Sequence, residues 1–194
     1  MSLILASESQ SRRAMLTAAG IAHKAVRPLL DEADEKAKLL NQGCDAMALA
    51  QGLALAKAHS VAGRLVLGCD QTLECHDGRM LDKARDSAEL AAQLRHLSGQ
   101  THVLNSAAAI VENGALVWSD SDQARMTMRP LSHTFIADYI AIEGSGLMGC
   151  VGGYRIEGRG AQLFAGVEGS QFTVQGLPLL PLLAYLRDRG LLAT

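Results

Sequence analysis

The carboxylate of Asp70 stands at a point in the chain where a catalytic group is often found. It follows the apolar run 65–69 (Leu-Val-Leu-Gly-Cys), which is typical of a strand that is buried on both faces. Open α/β sheets place their ligands at the ends of such strands. Burial disfavours a charged carboxylate unless a metal or a cation compensates, and groups of this kind serve as bases or metal ligands. Asp70 is therefore the best catalytic candidate, although an Asp that caps the following turn fits the same pattern.

A candidate anion site lies in the first residues of the chain. The apolar run 3–6 stops at three alternating serines, and Arg12 and Arg13 follow them directly. A helical pattern then continues to Gly20, which is suited to end a helix. Free N–H groups, the helix dipole and guanidinium groups together favour phosphate oxygens. The same residues also fit a capped helix with a solvated basic edge.

Three further charged features could act together with Asp70. Lys57 lies late in a predicted helix, and Lys83 lies just after a predicted hairpin. With the two arginines, these lysines could neutralise a polyphosphate. The acidic run around Glu32 could supply an oxygen ligand for Mg²⁺, which binds through one or two carboxylates plus substrate phosphates. Surface lysines and a solvated acidic loop are the ordinary alternatives.

Composition limits the kind of protein this can be. With 194 residues, of which 48% are hydrophobic, the chain can bury one core as a single domain over 1–194, with room for two lobes. The net charge of −2, with scattered Lys and Arg, argues against extended nucleic-acid binding. No signal-like segment opens the chain, and no apolar run approaches ~18 residues. The sequence thus predicts a cytoplasmic protein that binds neither nucleic acid nor membrane.

Several other motifs carry little functional weight. The four cysteines form no C-x-x-C pair, which predicts reduced structural thiols. The histidines show no zinc-type pairing, so no structural zinc is expected, and His102 is interpreted as a turn histidine with its hydrogen bonds satisfied. A G-x-G-x-x-G match at 144–149 follows a predicted helix rather than a strand and is interpreted as part of a loop.

Strand-like and helix-like segments alternate along the chain, which predicts an α/β fold. The first predicted helix has the serines and arginines in its first turn, carries its apolar pattern over 14–19 and closes at Gly20. The others run from an N-cap at Asp45 to residue 57, from Ser87 to residue 97, from Ser132 to residue 142, and from just after Leu179 to about Gly190. Predicted strands cover 3–6, part of 22–30, 65–69, 72–75, 79–81, 103–111, 115–118 and 124–129. Asp77-Gly78 and Asn113-Gly114 predict two hairpin turns.

Taken in order, these segments resemble the Maf family, bacterial and eukaryotic nucleoside triphosphate pyrophosphatases once known as septum-formation inhibitors. The matching segments are 5–13 (Leu-Ala-Ser-Glu-Ser-Gln-Ser-Arg-Arg), Asp31-Glu32, 53–58 (Leu-Ala-Leu-Ala-Lys-Ala), 68–71 (Gly-Cys-Asp-Gln), Lys83, Ser98-Gly99 with His102, 152–158 (Gly-Gly-Tyr-Arg-Ile-Glu-Gly) and 176–179 (Gly-Leu-Pro-Leu). The resemblance implies a two-lobed α/β fold with a central mixed, twisted sheet flanked by helices, a cleft between the lobes, and a homodimer. It also implies cleavage of a nucleoside triphosphate to a monophosphate and pyrophosphate with Mg²⁺ or Mn²⁺.

The resemblance assigns roles to particular residues. Asp70 would activate water, directly or as a metal ligand, and Glu32 would help to hold the metal. The triphosphate would be bound by Ser7, Ser9, Arg12, Arg13, Lys57 and Lys83, and Glu157 would face the base or sugar. Of the two arginines, Arg13 is expected to contact phosphate, whereas Arg12 could equally be solvated.

Some residues depart from the family pattern. Gln10-Ser11 replaces the usual Pro, Asp82 and Ala84 flank Lys83 in place of Gly and Pro, and Asn105-Ser106 stands where Thr-Gly is common. The spacer before the arginines, Gln71 and Glu157 resemble the branch that hydrolyses 7-methyl-GTP.

Two alternative functions stay open at this point. The substitutions around Lys83 and Asn105 also fit a catalytically weak nucleotide-binding regulator of cell division that acts through protein partners. A phosphatase acting on sugar or nucleotide monophosphates is the third possibility, and inorganic phosphate as its product would identify it.

Overall fold

The computed structural model describes residues 3–193, which form seven strands, seven α-helices and three 3₁₀ helices. The strands are β1 (Leu3–Ala6), β2 (His23–Val26), β3 (Leu65–Glu74), β4 (Met80–Leu81), β5 (Thr101–Glu112), β6 (Ala115–Met128) and β7 (Phe164–Glu168). The α-helices are α1 (Gln10–Ala18), α2 (Glu32–Asn41), α3 (Ala46–His59), α4 (Ser87–Leu97), α5 (His133–Glu143), α6 (Gln171–Val174) and α7 (Leu179–Asp188). The 3₁₀ helices cover Gly144–Gly149, Val151–Gly153 and Arg159–Leu163.

The strands form one mixed sheet in the order β2-β1-β3-β5-β6-β7, and β4 pairs with β3 outside this path. β1 runs parallel to both β2 and β3, whereas the β3–β4 and β6–β7 pairs are antiparallel. The α/β class with a central mixed sheet flanked by helices, predicted from the sequence, is confirmed.

The described residues divide into two compact units. The first comprises the residues up to Gln71, Asn105–Asp122 and those from Ser170 onward, and the second comprises Thr72–Leu104 and Gln123–Gly169. Strands β3, β5 and β6 each contribute residues to both units. A single domain over the whole chain stays a prediction.

The core of the first unit follows the alternation of side chains along its strands. On one side of the sheet, Leu5 and Leu67 pack with apolar residues of α1 and α7. On the other side, Ala6 and Val66 pack with Ala58 of α3. Even-numbered positions of β3 therefore face α3, which decides where Asp70 points.

The core of the second unit is built mainly on α4. Leu90, Leu94 and Leu97 recur at helical spacing and are fully buried, as are Leu104 of β5 and Met126 of β6. Helix α4 contacts α5 and the 3₁₀ segment Val151–Gly153. The region 144–160, predicted as loops, is largely ordered into short 3₁₀ helices.

Four predictions that depend on close neighbours in the sequence are confirmed. Asp45 and Ser132 cap α3 and α5 through their side chains, and Gly20 ends the turn after α1 with a positive φ. Asn113 and Gly114 both have a positive φ, as a type I′ hairpin turn requires.

Other predicted boundaries are wrong. The separate strands 65–69 and 72–75 are one strand, β3, and 115–118 and 124–129 are one strand, β6, because backbone pairing continues through the polar residues between them. Helix α4 is capped by Asp86 rather than Ser87, since the Asp86 carboxylate accepts from Glu89 N at 2.8 Å. Helix α2 was not predicted at all.

Across residues 3–193, no helix is both long and apolar enough to cross a membrane. All four cysteines are free, which confirms the prediction of unpaired thiols.

Candidate active site

Asp70 lies inside strand β3, shortly after the parallel pairing with β1 ends. The last paired residues are Ala6 of β1 and Gly68 of β3. The prediction that the strand ends at Asp70 is wrong, because β3 continues to Glu74 and pairs there with β4. Asp70 nevertheless occupies the edge where β1 stops, and it shares the face of Val66, toward helix α3.

Helix α3 approaches this strand closely because position 68 is a glycine. A Cβ atom at Gly68 would collide with the carbonyl oxygen of Ala54 and would lie 2.6 Å from Ala58 N. The close approach places Lys57 beside Asp70, and Lys57 Nζ donates to Asp70 Oδ1 at 2.5 Å. Both side chains are 9% exposed, so this is a buried ion pair.

Glu32 completes a group of three charges around Lys57. Its Oε2 lies 2.8 Å from Lys57 Nζ, and its side chain is half-exposed. Glu32 is the first residue of α2, whose N-cap, Asp31, accepts from Ala33 N and Asp34 N. The alternative that this acidic run is a solvated loop is therefore wrong: acidic residues stabilise the N-terminus of a helix.

The ionisation of Asp70 reflects competing influences. Burial raises the pKa of the Asp70 carboxyl, while the Lys57 ammonium and, to a smaller extent, the Arg12 guanidinium oppose this rise. The result is a carboxylate that takes up a proton more readily than an exposed Asp and that stays paired to a cation. Such a group is suited to accept a proton in a reaction.

The pair Glu32 and Asp70 has the donor chemistry of a divalent-metal site. Both carboxylates direct an oxygen to the same ammonium nitrogen, so they converge on one cationic position. Carboxylate oxygens are hard ligands that suit Mg²⁺ or Mn²⁺. The residues present therefore fit the metal that the family resemblance implies.

The opening serines hold the turn between β1 and α1. Ser7 Oγ accepts from Ser9 N at 3.2 Å, and Ser9 Oγ caps α1 by accepting from Arg12 N at 3.4 Å. Ser7 is buried and Ser9 is half-buried. The predicted capped helix is thus present, and its N-terminal hydroxyl groups lie on the same unit as Asp70.

Arg12 is buried, which rules out the predicted alternative that it is solvated. Its Nε donates to Gly176 O at 2.7 Å, and its Nη1 donates to Cys69 O at 3.0 Å and to Ser7 Oγ at 3.4 Å. Arg12 therefore joins the opening turn, the residue just before Asp70 and the segment before α7. Arg13, in contrast, is exposed.

A polar network that the sequence did not reveal lies on the other face of the same strand. Gln71 Nε2 donates to Ser106 Oγ and to Thr173 O, both at 2.9 Å, and Ser106 Oγ donates to Thr173 O at 2.8 Å. Thr173 Oγ1 donates to Asp122 Oδ2 at 2.5 Å. In the sequence, Gln71 and Ser106 stand out only through the family resemblance, and nothing there indicates Thr173 or Asp122.

The remaining predicted site residues belong to the second unit. Lys83 is exposed between β4 and α4, and Glu157 is exposed in a turn. Their contact with the same substrate as Asp70 stays a prediction.

His102 differs from its predicted description as a satisfied turn histidine. It lies in β5, is almost fully buried, and its Nε2 is 2.6 Å from Tyr154 Oη. Among the described residues, its Nδ1 has no hydrogen-bond partner. Burial lowers the pKa of His102 to about 4.

The Lys57-centred group of charges lies at the end of a parallel strand pair, which is where open α/β sheets bind their ligands. Residues 2–189 match the family model described as Maf-like protein, and the chain belongs to the Maf family.

A protein of Rhodopseudomonas palustris (strain BisB18) named nucleoside triphosphate pyrophosphatase is 45% identical over 193 residues, which cover 98% of this chain and 95% of the relative. A protein of the same name from Sphingopyxis alaskensis is 45% identical and covers 98% of both chains. A protein of Rhizobium johnstonii named 7-methyl-GTP pyrophosphatase is 45% identical over 97% of this chain and 96% of its own.

Proposed function

We propose that this protein hydrolyses a nucleoside triphosphate to a nucleoside monophosphate and pyrophosphate, with Asp70 activating the attacking water. The observation that carries the proposal is the buried ammonium of Lys57 between two carboxylates, 2.5 Å from Asp70 and 2.8 Å from Glu32. The relatives named as nucleoside triphosphate pyrophosphatases support the reaction class.

In the proposed reaction, the oxygen of water attacks phosphorus at the α–β anhydride linkage. The bridging P–O bond breaks, and pyrophosphate leaves. Asp70 accepts the proton of the water, either directly or while it is a ligand of the metal. In the direct route, burial favours this proton transfer, because it raises the pKa of Asp70 and a carboxylate with a higher pKa is a stronger base.

Glu32 and Asp70 are the residues that would hold Mg²⁺ or Mn²⁺. When bound, the ion polarises phosphate oxygens and offsets their negative charge. We also assign the Lys57 ammonium, which contacts both carboxylates, to the triphosphate, as the family resemblance implies.

The other residues of the site divide into two kinds. Arg13 is exposed and free to reach phosphate oxygens, and we assign it, with Lys83, to triphosphate binding. We assign Ser7 and Ser9 to the same binding, because Ser9 caps the N-terminus of α1 and N–H groups at a helix N-terminus favour anions. Arg12 acts differently: its hydrogen bonds to Cys69 O and Gly176 O position the backbone next to Asp70.

The preferred base is the finer part of the proposal. Gln71 and Glu157 match the 7-methyl-GTP branch of the family, and one relative at 45% identity carries that name. The substrate panel should therefore contain 7-methyl-GTP beside the common nucleoside triphosphates. A cytoplasmic location and a homodimer stay predictions.

Pyrophosphate release by the purified protein with Mg²⁺ or Mn²⁺ tests the proposal. At least one triphosphate should yield pyrophosphate, and Asp70→Asn should lower kcat at least about 100-fold, because a general base contributes this much. Asp138→Asn, an exposed carboxylate on α5, is the matched control and should retain activity.

Three results would contradict the proposal. Equal activity of Asp70→Asn and the unaltered protein would show that Asp70 does not activate the attacking water. Nucleotide binding by calorimetry without turnover favours the regulator instead. Release of inorganic phosphate without pyrophosphate identifies a phosphatase.

A further inference from the structure

Three side chains with different donor atoms meet at the end of the β3–β4 hairpin, within the second unit. The Sγ of Cys75, a carboxylate oxygen of Asp77 and a ring nitrogen of His96 all lie within 4.8 Å of one another. In a tetrahedral zinc site, with zinc–ligand distances of about 2.0–2.3 Å, the ligand atoms lie about 3.5 Å apart. Small side-chain rotations would therefore bring these three atoms into coordination distance.

The backbone around these residues is fixed by short hydrogen bonds. Cys75 N donates to Arg79 O at 2.8 Å, and Gly78 N donates to Cys75 O at 3.0 Å, which closes a tight turn that holds Cys75 and Asp77 at one end. His96 approaches from the last turn of α4. Cys75 is buried, His96 is half-buried and Asp77 is exposed, so the group is anchored in the protein yet open to solvent.

A cation already faces this group of donor atoms. Arg79 Nε donates to Asp77 Oδ2 at 2.7 Å, and Arg79 Nη2 lies 2.9 Å from His96 Nε2. A guanidinium has donors and no acceptors, so a lone pair of Asp77 is directed at a positive charge. The same charge lies close to both ring nitrogens of His96, since Arg79 Nη2 is also 3.1 Å from Nδ1. Asp77 and His96 would coordinate a metal ion once Arg79 moved aside.

We propose that Cys75, Asp77 and His96 bind one divalent transition-metal ion of the zinc class, with the fourth position taken by water or by His76. The ring of His76 lies 5.4 Å from that of His96, which keeps it within reach. A sulfur–nitrogen–oxygen donor set favours zinc over magnesium, so this site differs in chemistry from the carboxylate pair Glu32 and Asp70.

The spacing of the histidines along the sequence predicts no zinc site. A site whose ligands come from a hairpin and from a separate helix does not produce a recognisable ligand spacing in the sequence. Bound metal would cross-link the hairpin to the end of α4. The segment between these two ends contains Lys83. The site would thereby restrain the segment that carries Lys83, although metal binding itself does not depend on the proposed function.

Titration of the full-length protein with Co²⁺, in excess Mg²⁺ to occupy the carboxylate pair, tests the proposal. One Co²⁺ per chain should bind and give a thiolate-to-cobalt charge-transfer band in the near ultraviolet, and Zn²⁺ should displace it. Cys75→Ser should lose this band. Cys150→Ser, which alters another free thiol of the same unit, should retain it.

Two further variants keep the test valid if Cys75→Ser does not fold. His96→Ala should weaken Zn²⁺ binding at least about tenfold, since even residues that only support metal ligands contribute that much. Arg79→Gln should tighten it, because the competing positive charge is gone. Absence of Co²⁺ binding, a band that survives in Cys75→Ser, or unchanged affinity in His96→Ala would overturn the site.

Discussion

The two units each bury a pair of titratable side chains, and they do so in opposite ways. In the first unit, Lys57 and Asp70 form an ion pair inside the protein. In the second, His102 and Tyr154 are equally buried and share one hydrogen bond of 2.6 Å. Burial lowers the pKa of His102 to about 4 and raises the pKa of Tyr154, so this pair is neutral over the usual pH range.

The difference supports the proposal that the reacting groups lie in the first unit. Burying a neutral His–Tyr pair needs only one good hydrogen bond, whereas burying charges requires opposite charges at close range. A second carboxylate, Glu32, reaches the same ammonium from the surface, so the charged pair is connected to solvent. A charged group of this kind is suited to exchange partners with a charged ligand, and the His102–Tyr154 pair is suited to hold structure.

The largest effect is expected from removing the buried ammonium. Lys57→Met leaves Asp70 without its cation, and breaking a buried ion pair by removing one partner costs about 3–5 kcal/mol. We expect the free energy of unfolding in urea to fall by this amount. Pyrophosphate release should fall at least about 100-fold, because a cation that stabilises phosphate charge is lost.

An exposed ion pair provides the matched control for Lys57. Lys38 lies 3.3 Å from Glu35 on α2, and both belong to the first unit. Lys38→Met should change stability by less than about 1 kcal/mol, as exposed pairs do. Equal losses in the Lys57 and Lys38 variants would show that burial of the Lys57–Asp70 pair has no energetic consequence.

A smaller effect is expected from Arg12, the positioning residue of the site. Arg12→Lys keeps the charge but replaces the two nitrogens that reach Gly176 O and Cys69 O with a single one, so we expect a loss of about 2–3 kcal/mol in unfolding free energy. Because the backbone next to Asp70 loses its anchor, kcat should fall more than about tenfold with little change in KM.

Arg13→Lys should retain stability and raise KM. The same pattern in both variants would contradict separate roles for the two arginines.

Much of the local structure could be predicted because its causes lie close together in the sequence. The turn at Asn113-Gly114 and the caps at Asp45 and Ser132 each depend on neighbouring residues alone. Helix α2 was missed because none of its residues is buried and its acidic first turn fits a solvated loop equally well.

The candidate site shows the same limit. The charges of Lys57, Asp70 and Glu32 were identified from the sequence, but their convergence depends on how closely α3 packs on Gly68. The burial of Arg12 was missed because its partner Gly176 lies near the other end of the chain. Contacts between distant segments leave no local pattern, so residue types were predicted better than residue roles.

The smallest effect should appear in the pH dependence of the His102–Tyr154 pair. The pKa of His102 is lowered from 6.5 to about 4, so below about pH 6.5 the unfolded chain binds a proton that the folded chain does not. Stability should therefore fall as the pH falls from 6.5 toward 4, and this histidine should account for about 2 kcal/mol between about pH 7 and pH 5. Urea unfolding at a series of pH values measures the slope.

His102→Gln should flatten it, whereas His133→Gln, which alters an exposed histidine, should leave it unchanged. An unchanged slope in His102→Gln would show that the buried pair does not set the acid sensitivity of the fold.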